Sequence, residues 1–159
     1  GLTYGNSPSE FPPKFIKGKT LVLTTTNGTR LLHMVSGAEE IVIGSFFNLQ
    51  RLCDYLIERN TNVILGCASW KDRFNLEDTL FAGAVIDALQ HKFELQCDSA
   101  IASFHLYQQS KGNFIDYLKE SSHYKRLSAY GLQNEMALCA TPNLHPVVPV
   151  LKGKDIVII

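Results

Sequence analysis

Thr20-Leu21-Val22-Leu23-Thr24-Thr25-Thr26-Asn27-Gly28-Thr29-Arg30-Leu31-Leu32-His33-Met34-Val35 carries the pattern on which the fold reading turns. The first six residues are β-rich and largely apolar, and Thr26-Asn27-Gly28-Thr29 breaks the run. Leu31, Leu32, Met34 and Val35 then follow helical rather than alternating spacing. The reading is strand, tight turn, helix. The same alternation recurs downstream, with short apolar strands at 40–44 and 62–67 and helices at 48–59 and 76–90. Short strands alternating with helices predict an α/β fold, a mostly parallel sheet with helices on both faces and right-handed crossovers.

The remainder changes character. Helices are expected at 99–109, 113–120 and 123–130, so the C-terminal third is helix-rich. A Pro-rich irregular stretch follows at 140–149, then an apolar strand at 155–159. No repeat or linker divides the chain, and residues 1–159 are expected to form a single domain. The opening Gly5-Asn6-Ser7-Pro8-Ser9-Glu10-Phe11-Pro12-Pro13 is turn-forming material with no strand before it, an odd start for a sheet domain. An N-terminal part with further strands is therefore expected to be missing. The sheet edge left open would pair with that part or with a second copy.

With 45% hydrophobic residues in 159, the chain has apolar material for one substantial core. Fifteen basic residues balance fifteen acidic ones, without a basic block to hold a nucleic-acid backbone, so nucleic acid is not an expected partner. Cys53, Cys67, Cys97 and Cys139 show no paired spacing of the kind a zinc ribbon needs, and read as buried free thiols in a reducing compartment. No stretch approaches the roughly 20 apolar residues of a membrane span. The expectation is a cytoplasmic protein without membrane contact.

In an open parallel sheet, ligands bind where strand ends lead into helices, which directs attention to three loops. In the first, Thr25, Thr26, Asn27, Gly28 and Thr29 bring hydroxyls, a Gly that lets backbone approach closely, and N–H groups at a helix start. That is either an anion seat or an Asn-Gly hairpin turn. In the second, Ser45 and Asn48 could face the same crevice, although Asn48 also suits an N-cap. The third runs from Cys67 to Asp78 and is densest in reactive groups. Glu77 and Asp78 are adjacent carboxylates suited to Mg²⁺, but acids in a first helical turn also answer the helix dipole. Cys67 and Arg73 have the C-x5-R spacing of cysteine-dependent phosphatases, yet the loop between them lacks Gly and carries bulky and acidic residues. Ala82-Gly83-Ala84 predicts close packing of its helix on the sheet. His33, His91 and His123 are expected on exposed or partly exposed helix faces, with His105 and His145 isolated.

At these loops the sequence resembles the 2-phosphosulfolactate phosphatase family of coenzyme M biosynthesis. The resemblance runs through Gly5-Asn6-Ser7-Pro8 with Glu10, and through Gly18-Lys19 into Leu23 to Thr29. It continues with Gly44 to Leu49, Cys67-Ala68, and Arg73-Phe74 into Leu76 to Ala84. Order and spacing agree across residues 1–90; the C-terminal third matches more loosely, at His123 to Gly131 and Val148-Pro149. Members also carry an N-terminal stretch not present here, and Glu135 and Asn143 stand where the family tends to have Asp. The resemblance implies Mg²⁺-dependent hydrolysis of phosphate esters of 2-hydroxy acids, typified by conversion of 2-phospho-3-sulfolactate to 3-sulfolactate. It implies a metal held by Glu77 and Asp78 with Arg73 at the reacting group, and substrate held by Thr25 to Thr29, Ser45 and Lys71. Two other readings stay open: an inactive module that binds a phosphorylated metabolite, and a cysteine phosphatase using Cys67 and Arg73.

Overall fold

The computed structural model describes residues 4–159, and about half of them are helical. In chain order the elements are a 3₁₀ turn at Pro8–Glu10, helices α1 (Pro13–Ile16) and α2 (Gly28–Met34), and a second 3₁₀ turn at Phe46–Asn48. Helices α3 (Leu49–Arg59), α4 (Leu76–Leu89), α5 (Asp98–Ser110), α6 (Phe114–Lys119), α7 (Ser122–Ala129) and α8 (Gln133–Cys139) follow. Strands β1 (Pro149–Lys152) and β2 (Asp155–Ile158) close the order.

α4 organises the packing because its sequence is apolar or small almost all round. Thr79, Leu80, Ala82, Gly83, Ala84, Val85, Ile86 and Leu89 are all buried, the signature of a helix with neighbours on several sides. On one side Val85 and Leu89 meet Leu52, Cys53 and Leu56, which α3 presents at helical spacing. On another, Leu80 packs with Leu118 of α6 and Met136 of α8. Leu80 and Val85 are fully buried, each contributing about 1.5–3 kcal/mol of apolar transfer free energy. α5 crosses α4 at Gly83, where an added Cβ would lie 2.2 Å from the Ser103 carbonyl oxygen. The small residues at 82–84 thus admit a helix, not a sheet as the sequence suggested. Gln108 of α5 and Lys111, just past its end, reach Asp87 of α4 and fasten the same crossing.

A mostly parallel sheet with helices on both faces is not what these residues form. β1 and β2 make a two-stranded antiparallel hairpin, with Pro149 opposite Ile158 and Lys152 opposite Asp155. The segment 41–43 lies antiparallel to β1 on its other side: Ile43 N–H donates to Pro149 O at 2.8 Å, and Leu151 N–H to Ile41 O at 2.9 Å. The runs at 20–25 and 62–67 have no regular secondary structure and join no ladder among the described residues. Val22 and Ile64 stand 87% and 92% exposed there, while Val63 and Leu65 pack half-buried on the α3–α4 core, so 62–67 has an apolar face in contact but no strand beside it. Strand propensity expresses fit to a pleated, half-buried surface, and without a partner it yields no strand.

The Pro-rich stretch read as irregular is well anchored. Asn48 is buried; its Oδ1 accepts from Ser45 N–H, and its Nδ2 donates to Ile43 O and to Val147 O. It does not cap α3 with its side chain. That work falls to Asn143, whose Oδ1 accepts from Gln50 N–H at 2.8 Å in the first turn of α3. Asn143 also has φ 61°, a left-handed conformation that Asn tolerates better than most residues, and its own N–H donates to Phe46 O. His145, expected to stand isolated, donates its N–H to Phe47 O and sets its ring edge-on to Phe47.

Candidate functional site

The Thr/Asn/Gly turn closes on itself through its hydroxyls. Thr25 Oγ1 accepts from Thr29 N–H at 3.3 Å, and Thr29 Oγ1 donates to Thr25 O. A Cβ on Gly28 would lie 2.8 Å from Thr25 Oγ1, so only Gly leaves room for this closure. The chain then enters α2, in keeping with the strand-turn-helix reading of the turn and not with a hairpin, although the preceding run is unpaired.

Facing this turn is a second one with an unusual backbone. Trp70 and Arg73 exchange both backbone hydrogen bonds, at 3.2 and 3.1 Å, around Lys71 and Asp72. Both central residues have positive φ, 52° and 60°, and Ser69 just before has φ 62°. Three left-handed non-Gly residues within four positions store strain of about 1–3 kcal/mol each, a cost found where a loop is held for function. Asp78 helps hold it, its Oδ2 accepting from Ser69 N–H at 3.1 Å. Burial raises the Asp78 carboxyl above its ordinary pKa, while N–H donors from Ser69, Asn75 and Ala68 oppose the rise. Arg30 of α2 reaches across to Asp72 at 2.6 Å, an exposed pair that joins the two turns but contributes little energy.

Between the turns lies an open cleft of about 370 Å³ lined by Asn6, Thr24, Thr25, Thr26, Asn27, Gly28, Trp70 and Lys71. A neighbouring groove shares Asn6 and Thr24 and continues along Tyr4, Gly5, Phe11 and Leu21 to Leu23. Hydroxyls, an amide, backbone and a Lys ammonium give the cleft the chemistry of an anion site. The structure thus brings together Thr25 to Gly28 and Lys71, with Thr29 bonded to them. Arg73 flanks them in the hairpin. Ser45 does not line the cleft; its N–H is spent on Asn48.

Glu77 and Asp78, adjacent in sequence, point apart because successive helical residues are about 100° apart around the axis. Asp78 turns to the 68–69 backbone, and Glu77 turns to α7, where Oε1 pairs with His123 Nδ1. Both Glu77 carboxylate oxygens and His123 Nδ1 are sealed from water and make no hydrogen bond. Burial, then the nearby Arg126 guanidinium, pushes His123 below its ordinary pKa. His123 is the partly exposed helix residue expected from the sequence, with its Nδ1 turned into the site's surroundings. The signal was its spacing to Arg126: residues three apart share a helix face. Arg126 sets its guanidinium 4.2 Å from the centre of the Trp70 ring, and the Lys71 amine lies 4.8 Å from the same ring.

A Mg²⁺ fits this donor set in one respect: Glu77 supplies a buried, hard carboxylate whose Oε2 has no partner and whose Oε1 meets only His123 Nδ1, a negative charge that a cation would neutralise. Among the described residues no three His, Cys, Asp or Glu side chains converge, so the rest of the coordination would come from water and ligand, as Mg²⁺ commonly has it.

Cys67 sits in the opposite environment to that of a nucleophilic thiolate. Burial of its sulfur and the Asp78 charge raise its pKa, whereas an attacking thiolate needs electropositive surroundings. Cys53 is pushed up to about 11 by burial and then Asp54. Of the four thiols read as buried only Cys53 is so; Cys67, Cys97 and Cys139 are exposed residues, and Cys97 is lowered, chiefly by the Ser99 hydroxyl and then the Ala100 N–H. Iodoacetamide near neutral pH is expected to alkylate Cys97 first, Cys67 more slowly, and Cys53 only on unfolding. Peptide mass spectrometry over time checks the order, and fastest labelling at Cys67 would restore the thiolate reading.

Comparison with known proteins supplies the relationship that this geometry alone does not. Residues 1–154 match the family model described as 2-phosphosulpholactate phosphatase. The chain is 39% identical over 151 residues to a probable 2-phosphosulfolactate phosphatase of Thermotoga maritima, covering 95% of this chain and 65% of that protein. It is 35% identical over 154 residues to one of Caldanaerobacter subterraneus subsp. tengcongensis, covering 96% of this chain and 64% of that protein. A third, from Gloeothece citriformis, is 34% identical over 158 residues, covering 97% and 66%. The chain thus spans about two thirds of the length of these relatives. By both comparisons, this chain belongs to the 2-phosphosulpholactate phosphatase family.

Proposed function

We propose that this chain is the greater part of a Mg²⁺-dependent phosphatase acting on phosphate esters of 2-hydroxy acids, typified by 2-phospho-3-sulfolactate. The observation that supports it most is the cleft between two turns, in which the Thr25 to Gly28 hydroxyls and backbone face Lys71. Family membership turns an anion cleft into a phosphate-ester cleft. In this reading the Thr24 to Gly28 turn and Lys71 bind the phosphoryl oxygens and orient the ester. Arg73 approaches from the hairpin as charge develops on those oxygens. The Lys71-Asp72 turn, held by Asp78 and Arg30, positions the Lys71 ammonium. Glu77 would hold Mg²⁺ directly, with Asp78, turned to the 68–69 backbone, reaching it through water, and the metal when bound would supply neutralisation of phosphoryl charge. A small phosphorylated acid is the partner that this chemistry calls for, and no helix of the described residues is long and apolar enough to cross a membrane. A cytoplasmic setting and pairing with a second copy belong to the same proposal.

The test is phosphate release from 2-phospho-3-sulfolactate and 2-phospholactate, with Mg²⁺ or with EDTA, by this chain and by any longer protein its gene encodes. Release that requires Mg²⁺ is expected. Equal release in EDTA would remove the metal from the mechanism, and no release by any form would leave a binding module.

A further inference from the structure

α7 meets the candidate site at two points that its sequence spaces three residues apart. His123 pairs with Glu77, and Arg126 lies over Trp70, so one helix face is turned to the 67–78 loop. The start of α7 is fixed by the Ser121 hydroxyl, which accepts from Tyr124 N–H at 3.0 Å. Arg126 is thereby delivered from a set helix to a residue that lines the cleft.

Two features of Arg126 bear on what it does there. Among the described residues no carboxylate pairs with it, whereas Arg30, Arg51 and Arg59 each have one. Stacking on an indole occupies the face of a guanidinium and leaves its in-plane N–H fork free for a planar anion. The phosphate seat on the Thr24 to Gly28 turn already has hydroxyls, backbone and Lys71. Arg126 does not line the cleft itself but lies over Trp70, which does, within reach of a second anionic group on a ligand seated there. A carboxylate matches its fork in two parallel hydrogen bonds.

We propose that Arg126 is a specificity-determining residue that receives the carboxylate of a ligand whose phosphate occupies the cleft. This assignment rests on the phosphate-ester reading of that cleft. It makes the favoured ligand one with two separate anionic groups, a phosphorylated acid, and disfavours phosphate esters with no acid group. Trp70 acts through Arg126 by keeping the guanidinium flat.

Two probes that no phosphatase can hydrolyse separate the two sites: propylphosphonate, and 3-phosphonopropionate, which adds a carboxylate at the far end. Their affinities for the wild-type chain, Arg126→Met and Arg126→Lys are measured by titration calorimetry in Mg²⁺. Wild type is expected to prefer 3-phosphonopropionate. Arg126→Met is expected to lose about tenfold on that probe, with propylphosphonate within about twofold. Arg126→Lys, with its charge but no fork, is expected to fall between, and it serves as the folded substitute if the Met variant does not fold. Equal weakening on both probes, or no change on either, overturns the assignment while leaving the phosphate cleft in place. A wild-type chain that prefers neither probe overturns it as well. If wild type binds neither, the phosphate cleft itself fails, and Arg126 loses its role with it.

Discussion

Glu77→Gln is expected to cut Mg²⁺-dependent phosphate release by about 10²- to 10³-fold, the usual loss when a group that stabilises developing charge is removed. Gln keeps the shape of Glu and its place in the first turn of α4, so the change is in charge. The dipole of α4 loses an acid there, at a cost of about 0.3–1 kcal/mol, and the thermal midpoint is expected to move by only a few degrees. A role confined to the dipole or to the His123 pairing would thus appear as intact turnover. Asp78→Asn is the informative companion, because Asn still accepts a hydrogen bond from Ser69 N–H and keeps the strained loop seated. Loss of turnover in both variants with both folded assigns the charges to the reaction. Turnover within about twofold of wild type in both would end the Glu77–Asp78 assignment.

Gly83→Ala is expected to lower stability by about 1–3 kcal/mol, the range for overpacking a well-filled core. The new methyl would lie 2.2 Å from the Ser103 carbonyl oxygen and 2.6 Å from Tyr107 Cβ. Neither neighbour can rotate away, since one is backbone and the other is the first atom of a side chain. α5 must move outward, pulling Gln108 and Lys111 from Asp87. Ala is the better helix former by roughly 1 kcal/mol, so helix propensity alone predicts the opposite sign. Urea unfolding midpoints at constant slope decide between them, and a variant as stable as wild type would mean that the helices do not cross so closely.

The helices were legible because their signals are local. Leu52, Cys53 and Leu56 repeat at helical spacing, and the Asn75-Glu77-Asp78 sequence marks where α4 starts, so 76–90 was expected and Leu76–Leu89 is found. The sheet was not legible, because a strand is defined by its partner. Residues 20–25 and 62–67 have strand composition but no ladder, whereas 41–43 pairs with β1, which proline had disguised as irregular chain. α8 was missed altogether. The site divides the same way. The Thr25 to Gly28 turn and Lys71 stood out by residue type, and the structure brings them to one cleft. His123 and Arg126 could not be assigned to it, because the 45 or more residues separating them from Glu77 and Trp70 fold back through contacts that no local pattern records. Ser45 suggested a ligand by its hydroxyl but belongs to a turn that Asn48 holds.

The docking of residues 143–151 onto 41–50 has a consequence for how the protein is made. Asn143 caps α3 across 93 residues of sequence, and Asn48 bonds Val147 across 99. A ribosome adding about 5–20 residues per second leaves α3 without its cap, and the buried face of Tyr55 without Val148 and Val150, for roughly 5–20 s after they emerge. The nascent chain must therefore wait with apolar surface open, and closure of such distant contacts is intrinsically slow. Synthesis of this protein is thus expected to lean on chaperones that shield α3 until the hairpin arrives, and to be sensitive to pauses in translation between residues 60 and 140.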